Sequence, residues 1–216
     1  MWYYLASMKI SVFGATGRTG RMVVEQALSQ GIEVVGLVRD VGKMTMDDPK
    51  LQIVQGDVLD ETAVERTVDE ADGVVVALGP KPGGEDNVMA VGTGYVISAM
   101  RKHGVRRLVV QSSYAMSGSE AGVKFLEGME EETMKMLKPA IDDKMNQERM
   151  VRESGLEWTI VRPLTLTDGP RLGKYRVGED MEIAKTDTIS RADVADLMLK
   201  LVGGSEWVGK TVTVTG

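Results

Sequence analysis

Three glycines spaced three residues apart stand between an apolar run and an amphipathic segment near the start of the chain. Residues 10–13 are typical of a short buried strand, and the segment after Gly20 has the period of a helix. Gly14 permits a tight turn, Gly17 allows a bound group to approach the backbone, and Gly20 lets the helix pack against the strand. Backbone N–H groups at a helix start, together with the helix dipole, form an anion site suited to pyrophosphate. We therefore predict that this turn binds a dinucleotide.

The end of the second apolar run indicates which dinucleotide is bound. An acidic side chain at this strand end binds the ribose hydroxyls of NAD, whereas an arginine accommodates the 2′-phosphate of NADP. Arg39 occupies the position, with Asp40 next to it, Lys43 four residues further on and Arg18 inside the glycine turn. We predict that the three cations converge on the 2′-phosphate and that the cofactor is NADP(H). The alternative is a solvated loop with ordinary surface charges.

The elements that position these residues alternate between strands and helices. Four valine-rich runs follow the first helix: IEVVGLVRD, LQIVQGDV, DGVVVALG and VRRLVVQSS. Each run is too short for a helix and is bounded by Gly, Asp or Ser, which favours buried parallel strands joined by crossover helices.

The second half of the chain continues this pattern with additions. A charged stretch over about residues 119–154 is predicted to be mostly helical, with a break at Pro139. LEWTIVRP predicts a sixth strand, and the turn-rich segment after it predicts short strands. RADVADLMLKLV predicts the last helix and KTVTVTG the closing strand.

Length and composition favour one globular unit. The chain has 216 residues, of which 43% are hydrophobic, enough to bury a sizeable core. The strand pattern begins directly after Met8, so we expect residues 1–7 to be an extra tail and residues 8–216 to form a single NAD(P)-binding domain. We expect a soluble protein, because no window approaches the roughly 18 to 20 apolar residues that span a bilayer. We expect it in the cytoplasm, because the absence of cysteine fits a reducing compartment.

Charge and the scarcity of metal-binding side chains exclude several kinds of site. The formal charge of −6 gives no general attraction to nucleic acid or to an anionic membrane. There are no cysteines and one histidine, which rules out disulfides, thiolate sites and a histidine-based zinc site. Adjacent acidic residues such as Glu130 and Glu131 do not share a helix face, so we predict no metal site.

Six segments of the chain resemble one enzyme superfamily: KISVFGATGRTG, VVGLVRD, QGDVLD, GVRRLVVQSS, RESGLEWTIVRP and ISRADVADLMLKLV. They are similar to the atypical short-chain dehydrogenase/reductase superfamily, and within it to the NmrA-like and biliverdin IXβ reductase/flavin reductase group. The resemblance covers almost the whole chain from Met8. It implies an NADP-binding α/β fold, a Rossmann-type doubly wound parallel sheet with a short carboxyl-terminal elaboration on the substrate side.

The resemblance also implies which residues contact the cofactor. The pyrophosphate set is Gly14, Thr16, Gly17, Arg18, Thr19 and Gly20, and the 2′-phosphate set is Arg39 with Lys43. Asp57 and Val58 border the adenine, and Ala77, Leu78 and Gly79 pass under the ribose. Ser112, Pro163, Leu164 and Thr165 are expected on the nicotinamide side.

Three residues are candidates for catalysis, although this chain lacks the complete acid–base motif of better-known short-chain dehydrogenases. That motif is Tyr-x-x-x-Lys, and Tyr114 is followed four residues later by Gly118. Ser113 matches the active-site serine of the biliverdin IXβ reductase type, whose histidine is replaced here by Leu164. Lys144 is either an ordinary exposed helix lysine or a spatial substitute for the motif lysine, acting with Tyr114 or Ser113.

These observations lead to a functional prediction with one alternative. We expect an NADPH-dependent reductase, a monomer or small homo-oligomer, that passes hydride to a small conjugated acceptor such as a flavin or quinone. The alternative is an NADP(H)-sensing regulatory protein of the NmrA-like type. A sugar-nucleotide or isoflavonoid reductase is disfavoured, because the part after Pro163 is short for a large substrate domain.

A group of methionines in the charged stretch has two interpretations. Thioether side chains adapt to varied shapes, so they either line a pocket for a planar ligand or pack the helix against its neighbours. The group comprises Met129, Met134, Met136, Met145 and Met150.

Overall fold

A computed structural model describes residues 8–80, 87–115, 122, 124 and 126–216 of the chain. The predicted tail over residues 1–7 lies outside these described residues. Met8 is buried and directly precedes the first strand.

Strands and helices alternate along the chain, as the sequence predicts. The elements are β1 (Lys9–Phe13), α1 (Arg18–Ser29), β2 (Glu33–Val38), a 3₁₀ turn (Val41–Lys43), β3 (Leu51–Gln55), α2 (Glu61–Val68), β4 (Gly73–Val76), α3 (Val88–His103), β5 (Arg107–Gln111), α4 (Glu131–Arg152), β6 (Glu157–Pro163), β7 (Thr165–Thr167), β8 (Arg176–Gly178), β9 (Thr188–Ser190), α5 (Arg191–Val202) and β10 (Lys210–Thr215).

Eight strands form one twisted sheet in the order β3-β2-β1-β4-β5-β6-β10-β8. All neighbours pair in parallel except β8, which is antiparallel to β10, and β7 and β9 form a separate parallel pair. This confirms the predicted doubly wound parallel α/β fold. Phe13 pairs with Leu37 on one side and with Val76 on the other, so the carboxyl ends of β1, β2 and β4 meet at one edge. The strand order reverses between β1 and β4, where ligands bind in open parallel sheets.

The hydrophobic core has two layers, one on each face of the sheet. Val75, Val109 and Val161 face the layer that contains α1 and α5. The adjacent residues in the same strands, Val76, Val110 and Ile160, face the layer that contains α2, α3 and α4. Because both faces are covered, central strands such as β4 are buried along their whole length rather than at alternate residues.

Polar side chains fix the starts of two helices. Asp60 caps α2 by accepting hydrogen bonds from the backbone N–H groups of Thr62 at 3.0 Å and Ala63 at 3.3 Å. Ser190 caps α5 through the N–H of Asp193 at 2.9 Å. Such caps satisfy N–H groups that have no partner inside the helix.

The predicted break at Pro139 is wrong, because α4 runs without interruption from Glu131 to Arg152. Pro139 lies on the exposed side of the helix. The carbonyl that loses its N–H partner there can be hydrated, so the helix continues past the proline. Within the described ranges, no helix combines the length and the apolar character needed to cross a lipid bilayer.

Candidate functional site

The glycine turn between β1 and α1 is packed tightly against the end of β4. Gly14 has a φ of +82°, and a Cβ there would lie 2.5 Å from the carbonyl oxygen of Ala77. A Cβ on Gly20 would overlap the carbonyl group of Gly14. The predicted reasons for glycine at these two positions are confirmed: one needs a left-handed turn, and the other lets α1 approach the strand end.

The amino end of α1 is suited to an anion. Its N-cap is Gly17, no side chain of the described residues caps this end, and its first turn contains no acidic residue. The N–H groups that lack a helical partner and the positive end of the helix dipole therefore point out of the turn. Gly17 also donates a hydrogen bond to the carbonyl of Gly14 at 2.8 Å, which fixes the turn.

A cavity of about 530 Å³ opens at this turn, at the carboxyl ends of β1 to β4. Ten of the predicted cofactor residues line it: Gly14, Thr16, Gly17, Arg39, Lys43, Asp57, Val58, Ala77, Leu78 and Gly79. Four further lining residues were not predicted: Leu37, Gly56, Leu59 and Val88. The first three flank the ends of β2 and β3, so the rule that ligands bind at the carboxyl ends of strands would have identified them.

Among the described residues that line this cavity, Arg39 and Lys43 carry a positive charge. The guanidinium Nη1 of Arg39 lies 3.9 Å from the Oδ2 of Asp57, and 59% of the Arg39 side chain is exposed. Asp40 instead caps the following 3₁₀ turn, accepting a hydrogen bond from the N–H of Gly42 at 3.0 Å. The carboxylate of Asp40 is thus used within its own loop, and the arginine faces the cavity.

The predicted convergence of three cations does not include Arg18. Its guanidinium forms an ion pair with Asp168, in the segment after β7, and it does not line the cavity. Asp168 also binds the Nη1 of Arg191 at 2.8 Å. The carboxylate comes from far along the chain and neutralises Arg18 beside the glycine turn.

The predicted nicotinamide-side residues lie together at the ends of β5 and β6, outside the lining of the cavity. Buried Ser112 donates its N–H to the carbonyl of Val161 at 2.7 Å, and Tyr114 donates to the carbonyl of Pro163 at 3.1 Å. Residues 112–114 therefore extend β5 alongside the end of β6, with half-buried Ser113 between them. Leu164 is buried and Thr165 is exposed at the start of β7, while Thr19 and Gly20 are buried in α1.

Lys144 is buried, so its interpretation as an exposed helix lysine is wrong. Only 3% of the residue is exposed. Its Nζ donates to the carbonyl of Leu78 at 2.8 Å, the carbonyl of Gln111 at 3.1 Å and the Oε1 of Gln147 at 3.0 Å. An ammonium group has three protons, and these three acceptors use them all. Lys144 therefore joins the ends of β4 and β5 rather than bonding to a side-chain hydroxyl.

Burial makes the charged form of Lys144 costly. Loss of water lowers the pKa of this lysine from its ordinary value of 10.5 to about 8, and the nearby charges of Asp143 and Glu148 partly oppose that change by raising it. The group is therefore mostly protonated at neutral pH, with its charge held by backbone carbonyls and neighbouring acids.

The inner face of α4 carries further buried polar side chains that the sequence reasoning missed. Asp143 accepts hydrogen bonds from the N–H groups of Met89 at 2.9 Å and Ala90 at 2.8 Å, which caps α3 from outside. The amide Nε2 of Gln147 donates to the Oγ1 of Thr93 at 2.8 Å. The spacing of Asp143, Lys144, Gln147 and Glu148 places all four on one helical face, which is the signal that could have revealed them.

Glu148 forms a buried ion-pair cluster at the far end of this face. Its Oε1 accepts from the Nε of Arg162 at 2.9 Å, and its Oε2 accepts from the Nη2 atoms of Arg162 and Arg152, each at 2.6 Å. Burial raises the pKa of this carboxyl, but the hydrogen bonds and charge of Arg162, with smaller effects of Ser112 and Arg152, hold it below its usual value. Glu148 thus remains ionised and fixes α4 to β6.

Only two of the five methionines fit either predicted interpretation, one by packing and one by lining a cavity. Met150 packs against the core layer of α3 and α4, and Met134 lines a second cavity. Met129, Met136 and Met145 are exposed. In the part of the chain that the structure describes, no group of three or more histidine, aspartate or glutamate side chains could hold a metal ion.

Comparison with known proteins identifies the same architecture. An uncharacterized chloroplastic protein of Arabidopsis thaliana is 33% identical, covering 95% of this chain and 76% of that protein. A Rossmann-fold NAD(P)-binding family protein from Shigella flexneri is 27% identical with a TM-score of 0.70, covering 96% of this chain and 92% of that one. ChuY, an anaerobilin reductase from Escherichia coli O157:H7, superimposes with a TM-score of 0.79 at 23% identity and covers 96% of both chains.

A family profile assigns the chain to a family directly from its sequence. The profile described as NAD(P)H-binding matches residues 14–203, which begin at the first glycine of the turn and end after α5. The match includes every residue that lines the 530 Å³ cavity. The chain therefore belongs to the NAD(P)H-binding family, with a Rossmann-type oxidoreductase-like fold.

Proposed function

We propose that the protein is an NADPH-dependent reductase that passes hydride to a small conjugated acceptor such as a flavin or a quinone. The observation that carries this proposal is the pair of cations, Arg39 and Lys43, at the cavity formed by the glycine turn. A 2′-phosphate carries nearly two negative charges, and an arginine fork binds such a group through two hydrogen bonds.

The residues of the cavity fit a dinucleotide. Gly14 and Gly20 leave no room for a side chain, which keeps the backbone of the turn close to the cavity. The uncapped amino end of α1 supplies N–H donors for a pyrophosphate. Val58, Leu78 and Val88 give an apolar wall for a ring system.

The remaining residues orient the reacting groups. NADPH, when bound, supplies the hydride. Lys144 fixes the carbonyls of Leu78 and Gln111, and so holds two strand ends at the edge of the cavity. Half-buried Ser113, two residues after the end of β5, would donate a hydrogen bond to the nicotinamide or to the acceptor.

An acceptor that needs little acid–base help suits this chain. The Tyr-x-x-x-Lys motif is not continued after Tyr114, and the three protons of Lys144 are engaged by protein acceptors. Flavins and quinones take hydride directly, with the proton supplied by water, so orientation provides most of the rate. The description of the structural neighbour ChuY as a reductase supports the proposal.

The experiment is a turnover assay with a matched variant. The purified protein is incubated with NADPH and a panel of flavins, quinones and linear tetrapyrroles, and loss of NADPH absorbance is followed. We expect Ser113→Ala to lower kcat more than it weakens NADPH binding, because an orienting hydrogen bond acts mainly in the transition state. Exposed Ser205, beside the residues that contact Arg107 at the start of β5, provides the control variant Ser205→Ala.

The alternative function gives a distinct result in the same assay. Tight NADPH binding without turnover of any acceptor would contradict the reductase and favour the NADP(H)-sensing protein. Unchanged turnover in Ser113→Ala would show that Ser113 is only a strand-end residue.

A further inference from the structure

A second cavity of about 310 Å³ lies along the amino-terminal half of α4. Its apolar wall is formed by Ala115, Leu126, Met134 and Ile141. The remaining lining residues are charged side chains of α4. The cavity therefore has an apolar interior with charges confined to one helix.

Helix α4 connects the second cavity to the 530 Å³ cavity at the glycine turn, which is the proposed nucleotide cavity. Ile141 lies three residues before Lys144, so both side chains are on the same side of the helix, about one turn apart. The Nζ of Lys144 lies 2.8 Å from the carbonyl oxygen of Leu78, which lines the nucleotide cavity. On the other wall, Ala115 follows Ser113 by two residues. The second cavity is thus placed beside the end of β5, next to the proposed hydride-transfer position.

The charges at this cavity cancel in pairs. Lys135 lies 2.8 Å from Glu131, and Lys138 lies 2.9 Å from Asp142, each pair one helical turn apart. Both lysines are already matched by a carboxylate on the same helix. All four of these side chains are at least half exposed to water. The apolar wall itself offers an anionic substituent no partner, and moving a charge from water against that wall costs free energy.

We propose that the second cavity binds the acceptor and that the acceptor is a compact, uncharged, conjugated ring compound. This inference rests on the proposed reductase function. The volume lies at the lower end of the range for ligand pockets, roughly 300 to 1,000 Å³, which favours one or two fused rings over larger chromophores. Met134 supplies a polarizable thioether that packs well against ring edges. For a quinone, the reaction takes one hydride from NADPH, leaving NADP⁺, and one proton from water, which together give the hydroquinone.

The test measures binding rather than turnover, with menadione as the uncharged two-ring probe. Equilibrium dialysis of menadione against the NADP⁺-saturated protein is compared with 1,4-naphthoquinone-2-sulfonate, a probe of similar shape with one negative charge. We expect the sulfonate to bind about tenfold more weakly or worse, because the cavity offers it no unmatched cation. The chain contains no cysteine that could react with either quinone.

Two variants that fill the cavity locate the bound probe. Met134→Trp should weaken menadione binding by about tenfold or more, since the indole occupies the space of the ring. Met136→Trp is the matched control, because Met136 is on the same helix but 82% exposed. Ile141→Trp is the second cavity-filling variant. The thermal midpoint and the NADPH dissociation constant of each variant report whether the fold and the nucleotide site are intact.

The possible outcomes separate the site from the function. If menadione does not bind, the proposal that the second cavity binds the acceptor is overturned. It is also overturned if menadione binds equally well to the unmodified protein and to both cavity-filling variants. Tighter binding of the sulfonate overturns the uncharged class of acceptor. Menadione binding at the cavity without any NADPH oxidation would contradict the reductase function while supporting the ligand site.

Discussion

Replacing Arg39 with alanine removes the side chain on which the preference for NADP(H) depends. A hydrogen bond to a charged group contributes about 1.5–3 kcal/mol, which corresponds to about 10- to 150-fold in affinity. The Arg39 side chain is 59% exposed, and exposure to water weakens such interactions, so we expect the lower part of that range, about 10- to 30-fold. NADH lacks the 2′-phosphate, and its affinity should change little.

Calorimetric titration of NADPH and NADH against the unmodified protein and Arg39→Ala measures this difference. Arg106→Ala is the matched control, because Arg106 is also an exposed arginine paired with a carboxylate, Glu157 at 2.8 Å, but lies beside the start of β5. Its removal should leave both affinities unchanged. Equal or tighter binding of NADH by the unmodified protein would refute the reasoning, as would an unchanged NADPH affinity in Arg39→Ala.

Three other substitutions test how the site is built. Gly14→Ala should destabilise the fold and weaken NADPH binding, because its Cβ would meet the carbonyl of Ala77 at 2.5 Å in addition to the cost of a positive φ. Gly104→Ala, with a φ of +72° and open space around it, should lower the thermal midpoint by only about 2–8 °C. Equal effects of the two substitutions would contradict the clash. Glu148→Ala should lower the free energy of unfolding by about 3 kcal/mol or more, since it leaves buried positive charge unpaired, and a change near zero in urea unfolding would contradict this. The pKa of Lys144 is about 8 in the folded protein, against the ordinary value of 10.5 that applies to the unfolded chain. Between these pH values the unfolded state binds more protons, so the free energy of unfolding of the unmodified protein, relative to Lys144→Met, should rise by up to about 3 kcal/mol from pH 8 to 10.5. A fall over this range would refute the pKa shift.

The cavity at the glycine turn was largely predictable because its signals are local. The spacing of Gly14, Gly17 and Gly20 between an apolar run and an amphipathic run specifies a strand, a turn and a helix without any long-range contact. Arg39 was placed by the same argument, as the residue directly after a strand. Parallel topology then brings the ends of neighbouring strands to one edge, so residues far apart in the chain could be assigned to a common site.

The features that could not be predicted depend on partners distant in the sequence. Arg18 is held by Asp168, 150 residues further along, and nothing near Arg18 indicates that pairing. Lys144 is buried because the carbonyls at the ends of β4 and β5 and the amide of Gln147 replace its water. Pro139 is tolerated in α4 because that part of the helix is exposed. In each case the tertiary environment, rather than the local pattern, decides the outcome.

The most direct test of the central claim is the rate at which the protein oxidises NADPH in the presence of an acceptor. The absorbance of NADPH is followed with menadione and with a flavin, at several protein concentrations and against a protein-free control. The account predicts a rate proportional to protein concentration, faster with NADPH than with NADH at low nucleotide concentration, with that preference lost in Arg39→Ala. A rate equal to the protein-free control with every acceptor, in a protein that binds NADPH, would contradict it.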